Sequence, residues 1–309
     1  MRVGEIRSER AIDPSLTFRS FRFGSSDPTS RIVGDTLHMA THTPLGPATV
    51  CIGPQGPPLP SGPGAAAIAK RPFDLRGDTD TYSSLEEQCP RSLDSVHFPV
   101  VRELDKRWGH VRVGATGDVY RAALTATLGQ RITAAEAVAQ WRRLCLAFGH
   151  VCDSPGEDDS LPLHLPPDPD VLARTSPYQL HRFGIEESRA RTLIGIARVF
   201  QRAGSHHHDH EAAMSRLCRD VPRFGPWTQA LVRYEALGDA DAVAVGDFHL
   251  KNVVTYAFTG NPRGTDDTML DLLDPYRGQR GRILMWLGLA GVQAPKFGPR
   301  RRNVDFRRM

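Results

Sequence analysis

Residues 221–252 read VPRFGPWTQALVRYEALGDADAVAVGDFHLKN, and the punctuation of this stretch decides the fold. A helix ends near Val221, and the turn Pro222-Arg223-Phe224-Gly225 follows. Pro226 opens a second helix, where its missing N–H is no loss and its φ is already helical. Gly238 closes that helix. A short apolar run, Ala242-Val243-Ala244-Val245, leads to Gly246-Asp247, with a third helix expected from Phe248. The hairpin can turn the N–H groups of Gly225, Trp227 and Thr228 toward a phosphate oxygen. Asp247 is an N-cap on one reading and a catalytic carboxylate on the other; local sequence alone favours the cap.

The stretch resembles the signature of the helix-hairpin-helix (HhH-GPD) DNA glycosylases, L-P-G-(I/V)-G-x-W-T-A followed about twenty residues on by Asp, an aromatic and Leu. The branch it resembles most is the AlkA-like 3-methyladenine DNA glycosylase II family. The resemblance implies an α+β fold, with an N-terminal antiparallel sheet subdomain similar to one repeat of the TATA-binding protein, then an all-α glycosylase core. It reverses the weighting on Asp247, which becomes the catalytic residue. It implies DNA contacts at Arg223, Phe224, Gly225 and Thr228, a wedge at Gln130 and Arg131, and a base pocket at Trp227, Leu231, Met285 and Trp286. Family members able to cut the strand have a lysine nucleophile where this chain has Trp227, so hydrolysis without strand cleavage is expected. Two departures stand out. Arg223 replaces the first hairpin glycine, implying a different turn or an added phosphate contact. Leu231 replaces an aromatic found in some relatives.

Length fits two or three units: residues 1–95 as sheet and connector, 96–295 as the helical core and 296–309 as a basic tail. A net charge of +4 in 309 residues does not make a polycation, although the tail concentrates Lys296, Arg300, Arg301, Arg302, Arg307 and Arg308 against Asp305. The tail reads equally as a solvated end or a phosphate-contacting arm. No apolar run approaches the roughly 18 residues of a membrane span, and the N-terminus has no apolar signal core. A cytoplasmic, bacterial, nucleoid-associated protein is expected, acting as a monomer on double-stranded DNA that contains damaged bases. Cys51, Cys89, Cys145, Cys152 and Cys218 form no C-x-x-C pair, and none follows Cys218. Free thiols are therefore expected. The iron–sulfur cluster that some relatives hold after the catalytic Asp is excluded. No cofactor or catalytic metal is expected, though a monovalent cation at the hairpin remains open.

Elsewhere, residues 15–24 alternate apolar and polar and are expected as strand, and residues 41–53 as two strands around Pro44-Leu45-Gly46-Pro47. Residues 72–95 look like an irregular connector. Residues 98–108 form an amphipathic helix closed by Gly109. Beyond it, Tyr120, Leu124, Leu128, Ile132, Ala135, Val138, Trp141, Leu144 and Phe148 recur at helical spacing. Gly129-Gln130-Arg131 breaks that run, with Thr133 capping the second helix. His206, His207, His208 and His210 read as an exposed loop in preference to a metal site, because adjacent histidines make a poor closed site. Pro275 is expected to start the last helix.

Overall fold

A computed structural model of the chain describes residues 14–68, 74–152, 162–203 and 209–295. The basic tail, the acidic run at Glu157-Asp158-Asp159 and His206 to His208 lie outside the described residues.

The N-terminal part is a four-stranded antiparallel sheet with a short helix before it and another after it. Helix α1 (Pro14–Arg19) precedes β1 (Ser30–Val33), β2 (Thr36–Thr43), β3 (Gly46–Ile52) and β4 (Leu59–Ser61), paired in sequence order. The strand expected at residues 15–24 is a correction: α1 and the turn after it occupy this stretch. Thr17, Phe18 and Phe21 are its buried residues, at helical spacing; Phe18 and Phe21 plug the sheet core beside Leu37, Met39 and Val50, and the Thr17 hydroxyl donates to Arg112 O at 2.9 Å. The expected β2–β3 hairpin is present, with Thr43 opposite Gly46. Helix α2 (Ala65–Ile68) closes this part.

The rest is helical. Helices α3 (Leu85–Gln88) and α4 (Phe98–Trp108) lead to α5 (Val119–Gly129) and α6 (Ala134–Phe148). The break between the last two falls where glycine and the Thr133 cap place it, the Thr133 hydroxyl accepting from Glu136 N–H. The small ladder β5 (Val151–Cys152) with β6 (Leu163–His164) follows, then α7 (Pro169–Arg174), α8 (Pro177–His181) and α9 (Glu187–Ala203). Helices α10 (His210–Asp220) and α11 (Pro226–Leu237) flank the hairpin. Helices α12 (Leu250–Thr259), α13 (Asp266–Leu273) and α14 (Arg280–Leu289) complete the fold. Pro275 lies in a 3-10 turn between α13 and α14 and does not start α14.

These helices bury two separate cores. One joins α5, α6, α9, α10 and α11 around Trp141, Leu128, Leu193 and Val232. The other joins α12, α13 and α14 with α4 and the connector, through Tyr82, Leu85, Val101, Val254 and Trp286. The connector thus packs with the C-terminal helices. Arg282, fully buried, donates to both Asp80 carboxylate oxygens at 2.6 and 2.7 Å and lies over the Tyr82 ring at 4.2 Å.

Candidate nucleic-acid interface and active site

The hairpin hangs from the first core by its apolar side chains. Val221 and Phe224 are both buried, and Phe224 N–H closes the turn on Val221 O at 3.3 Å. Between them Arg223 is exposed, with φ of 67°. The substitution therefore leaves a glycine-like left-handed turn in place. Gly225 is the N-cap of α11 and has no side chain to cap it; Pro226 is the first helical residue. The N-terminal N–H groups of α11 thus face outward without a capping oxygen, the usual setting for an anion. Gly238 closes α11 in the left-handed conformation, φ 67°.

The Gly129-Gln130-Arg131 turn abuts this hairpin. Gln130 Nε2 donates to Thr228 Oγ1 at 2.9 Å and to Arg223 O at 3.3 Å. A Cβ on Gly129 would meet the Trp227 ring at 3.4 Å. Arg131 is exposed, with φ of 62°. Behind both turns stands α9. Its buried Arg189 donates to Leu128 O and Gln140 Oε1, each at 3.0 Å, placing a cation at the carbonyl end of α5. Its Thr192 hydroxyl donates to Pro222 O at 3.2 Å. Gln229 Nε2 donates to Phe224 O at 2.9 Å. Arg189, Thr192 and Gln229 escaped the sequence reading; only the polar character of Arg189 and Thr192 on an otherwise apolar helix face signalled them. The carbonyls of Val221, Arg223 and Phe224 each accept one hydrogen bond, the last two from side-chain amides that fasten the turn.

Asp247 sits where the two helical cores meet. The third helix begins at Leu250, two residues later than the expected Phe248, because residues 246–249 form a turn around the carboxylate. Asp247 Oδ1 accepts from His249 and Leu250 N–H, both at 2.8 Å, and Oδ2 accepts from Trp227 Nε1 at 2.9 Å. One oxygen thus accepts from N–H groups at the start of α12, whose N-cap position is His249, and the other faces the indole from the hairpin helix. Asp266, another residue missed in sequence, holds the turn by accepting from Gly246 N–H at 3.1 Å and from Lys251 Nζ at 3.3 Å.

Trp227 is half-buried beside Asp247. Leu231, one turn along α11, packs against the first core, and Met285 on α14 packs against the second. Trp286 is a correction: it is fully buried, edge-on to Tyr82 at 5.6 Å, and belongs to the core and not to a pocket wall. Phe248, beside Asp247, is 77% exposed and is an apolar surface that sequence reasoning did not assign. An open depression of about 350 Å³ lies along the outer side of the hairpin, lined by residues 218–225; neither Trp227 nor Asp247 lines it. Among the described residues no three His, Cys, Asp or Glu side chains cluster as a metal site, and no helix is long and apolar enough to cross a membrane.

No family model and no curated protein matches this sequence. Solved structures do. A 3-methyladenine DNA glycosylase from Archaeoglobus fulgidus superposes with a TM-score of 0.69 at 17% identity, covering 91% of this chain and 96% of that one. A Clostridium acetobutylicum 8-oxoguanine glycosylase/lyase, in complex with DNA containing cytosine opposite 8-oxoguanine, gives 0.56 at 11% identity, covering 85% and 87%. MBOgg1 in complex with a low-affinity DNA ligand gives 0.55 at 16% identity, covering 84% and 96%. The chain has the α+β fold of the DNA glycosylases, from the N-terminal sheet through the helical core.

Proposed function

We propose that this chain is a monofunctional DNA glycosylase that hydrolyses the N-glycosidic bond of alkylated purines of the 3-methyladenine type during base excision repair. The observation that carries the reading is the hydrogen bond between Trp227 Nε1 and Asp247 Oδ2, 2.9 Å. It places a carboxylate and an aromatic ring together beside an outward-facing helix N-terminus.

A base inside a duplex is out of reach, so the nucleotide must be extruded, at a cost of a few kcal/mol that damage lowers. The α11 N-terminus with the hairpin holds the backbone, and the turn at residues 129–131 enters the gap. The Trp227 face receives the base. An alkylated purine carries positive charge, and an indole face attracts a cation. Its charge also makes it a good leaving group, so the protein need supply little acid catalysis. Asp247 then stabilises the oxocarbenium-like transition state and orients water. Two backbone N–H groups occupy Oδ1, and the indole takes one lone pair of Oδ2. The second lone pair of Oδ2 is left for the sugar or the water. With tryptophan where a lysine nucleophile would stand, no Schiff base forms and the strand stays intact. No cofactor enters these steps. The protein works as a monomer on damaged double-stranded DNA in the bacterial cytoplasm.

The test is base release from methylated duplex DNA by wild type and Asp247→Asn. Release of 3-methyladenine or 7-methylguanine without nicking is expected, with a loss of at least about 100-fold in the variant. The glycosylase/lyase among the similar structures makes oxidised bases the second substrate class to assay, with borohydride trapping to detect a lyase. DNA binding by both proteins with no release from any methylated, oxidised or deaminated duplex would leave a non-catalytic DNA-binding module.

A further inference from the structure

Gly129 is the last residue of α5, and its backbone is helical. The left-handed residue of the break that follows is Arg131, φ 62°, two positions on. The conformational freedom of glycine is therefore not what position 129 uses. Close packing does not demand a glycine there either. Beyond the adjacent residues and the backbone of α5 itself, a Cβ would have one described neighbour within 4 Å, Trp227 Cη2, at the ordinary contact distance of 3.4 Å. Alanine would fit, and inside a helix it is the more favourable residue. Glycine instead leaves that end of the indole uncovered. The opening is fixed in place, because the residues that follow the two partners are tied to each other, Gln130 Nε2 donating to Thr228 Oγ1 at 2.9 Å.

The two ends of the indole face different neighbours. Nε1 donates to Asp247 Oδ2 at 2.9 Å, and Cη2 lies toward Gly129. In the proposed reaction the glycosidic bond sits at Asp247, hence at the Nε1 end of the ring. A purine stacked on the indole then runs away from Asp247. The edge opposite its glycosidic nitrogen, which carries N1 and the 6-substituent, comes over the Cη2 end. We infer that Gly129 is a specificity-determining residue, and that the room left by its missing side chain admits purines enlarged at this far edge. This rests on the glycosylase reading above and widens it, from bases altered beside the glycosidic bond to bases that carry an added ring or alkyl group across N1 and the 6-position. A side chain at residue 129 would close that room without touching the carboxylate.

The test compares release of 3-methyladenine and of 1,N6-ethenoadenine from matched duplexes by wild type and Gly129→Ala. The first base is altered beside its glycosidic bond, and the second carries a fused ring across its far edge. Wild type is expected to release both. The added methyl group should lower kcat/KM for ethenoadenine at least about 10-fold more than for 3-methyladenine, the discrimination that one methyl group gives in a pocket. Tm should hold or rise by about 2 °C, because a helical glycine is being replaced. Affinity for a duplex with an abasic-site analogue, which brings no base to the ring, should stay within about 2-fold of wild type. Equal losses on the two bases overturn the assignment. A variant with lower Tm and weakened abasic binding also overturns it, since Gly129 would then be a packing requirement. Wild type that releases 3-methyladenine and no ethenoadenine leaves the glycosylase reading standing and removes the role of Gly129 alone. If wild type releases neither base, the glycosylase reading itself fails and takes this one with it.

Discussion

The two ends of α11 are built on opposite principles. At its C-terminal end, Glu235 meets Arg121 of α5 in an ion pair, and the carbonyls of Glu235 and Ala236 accept from Thr116 and Gly117 N–H at 3.0 and 2.9 Å. Arg121 is almost wholly buried. It donates to Asp27 at 2.7 Å, to Phe21 O at 2.7 Å and to Thr29 Oγ1 at 3.1 Å, while Trp141 Nε1 donates to Asp27 at 2.9 Å. One guanidinium thus ties the N-terminal sheet region, α5 and α11 together, with all three of its nitrogens hydrogen-bonded. At the N-terminal end the helix has no side-chain cap, follows a strained arginine and offers a half-buried indole to a carboxylate. The difference teaches how the site is made: rigidity is concentrated at the far end of the helix, so that the near end can keep unsatisfied donors and strain without drifting.

Breaking the rigid end should have the largest effect. Arg121→Met leaves Asp27 buried and unpaired and is expected to destabilise the fold by roughly 3–5 kcal/mol, read from urea unfolding. A loss below about 1 kcal/mol would mean that the network is incidental to the position of α11.

A second effect is smaller and depends on pH. Burial pushes Glu235 up to about 7, against the pull of Arg121 and with Asp118 and Asp27 adding to it. Asp27 moves the other way: burial would raise it, but Arg121 and the hydrogen bonds from Phe23, Thr29 and Trp141 hold it below the usual carboxylate range. A carboxyl raised on folding binds its proton more tightly in the native state. Its contribution is therefore neutral below the unfolded value, roughly 4.3, and becomes destabilising as pH rises through about 7. Wild-type stability should decline between pH 5 and 8, by an amount on the order of 2 kcal/mol. In Glu235→Gln that decline should flatten. Parallel pH profiles for the two proteins would assign the titration elsewhere. Asp27 contributes in the opposite sense, its stabilisation present above the unfolded carboxylate range and lost as the medium becomes more acidic.

How much of this was legible in the sequence follows the same division. Local chemistry could be read: Pro226 and Gly238 bound α11, Thr133 caps α6, and the break at Gly129 is where the glycine puts it. These depend on φ preferences and on hydrogen bonds within a few residues. The rigid end could not be read, because Arg121 finds Asp27, Trp141 and Glu235 at separations that no periodicity encodes, and in sequence it is one more charged residue on a helix. The same limit hid Gln130's grip on the hairpin, 93 residues away, and Arg282's on Asp80, 202 away. Two expectations fail for different reasons. The stretch around Phe18 reads as alternating because aromatics at three-residue spacing also satisfy a loose period of two. Trp286 is placed in the pocket by the resemblance alone, which does not say which face of α14 meets Tyr82.

The smallest change should fall at the open end, and it separates the two uses of Trp227. In the proposed reaction its ring receives the base, while its N–H holds Asp247 Oδ2 at 2.9 Å. Trp227→Phe keeps an aromatic face and removes the donor. Oδ1 keeps both backbone N–H partners, so the turn at residues 246–249 should survive and stability should change by no more than about 0.5 kcal/mol. The carboxylate loses the hydrogen bond that fixes Oδ2 toward the hairpin helix. Base release should therefore slow by about 10-fold in kcat, near 1.4 kcal/mol. KM should stay close to that of wild type. A rise in KM with kcat unchanged would make Trp227 a binding surface alone, and the open end of α11 would then position the base but not the carboxylate.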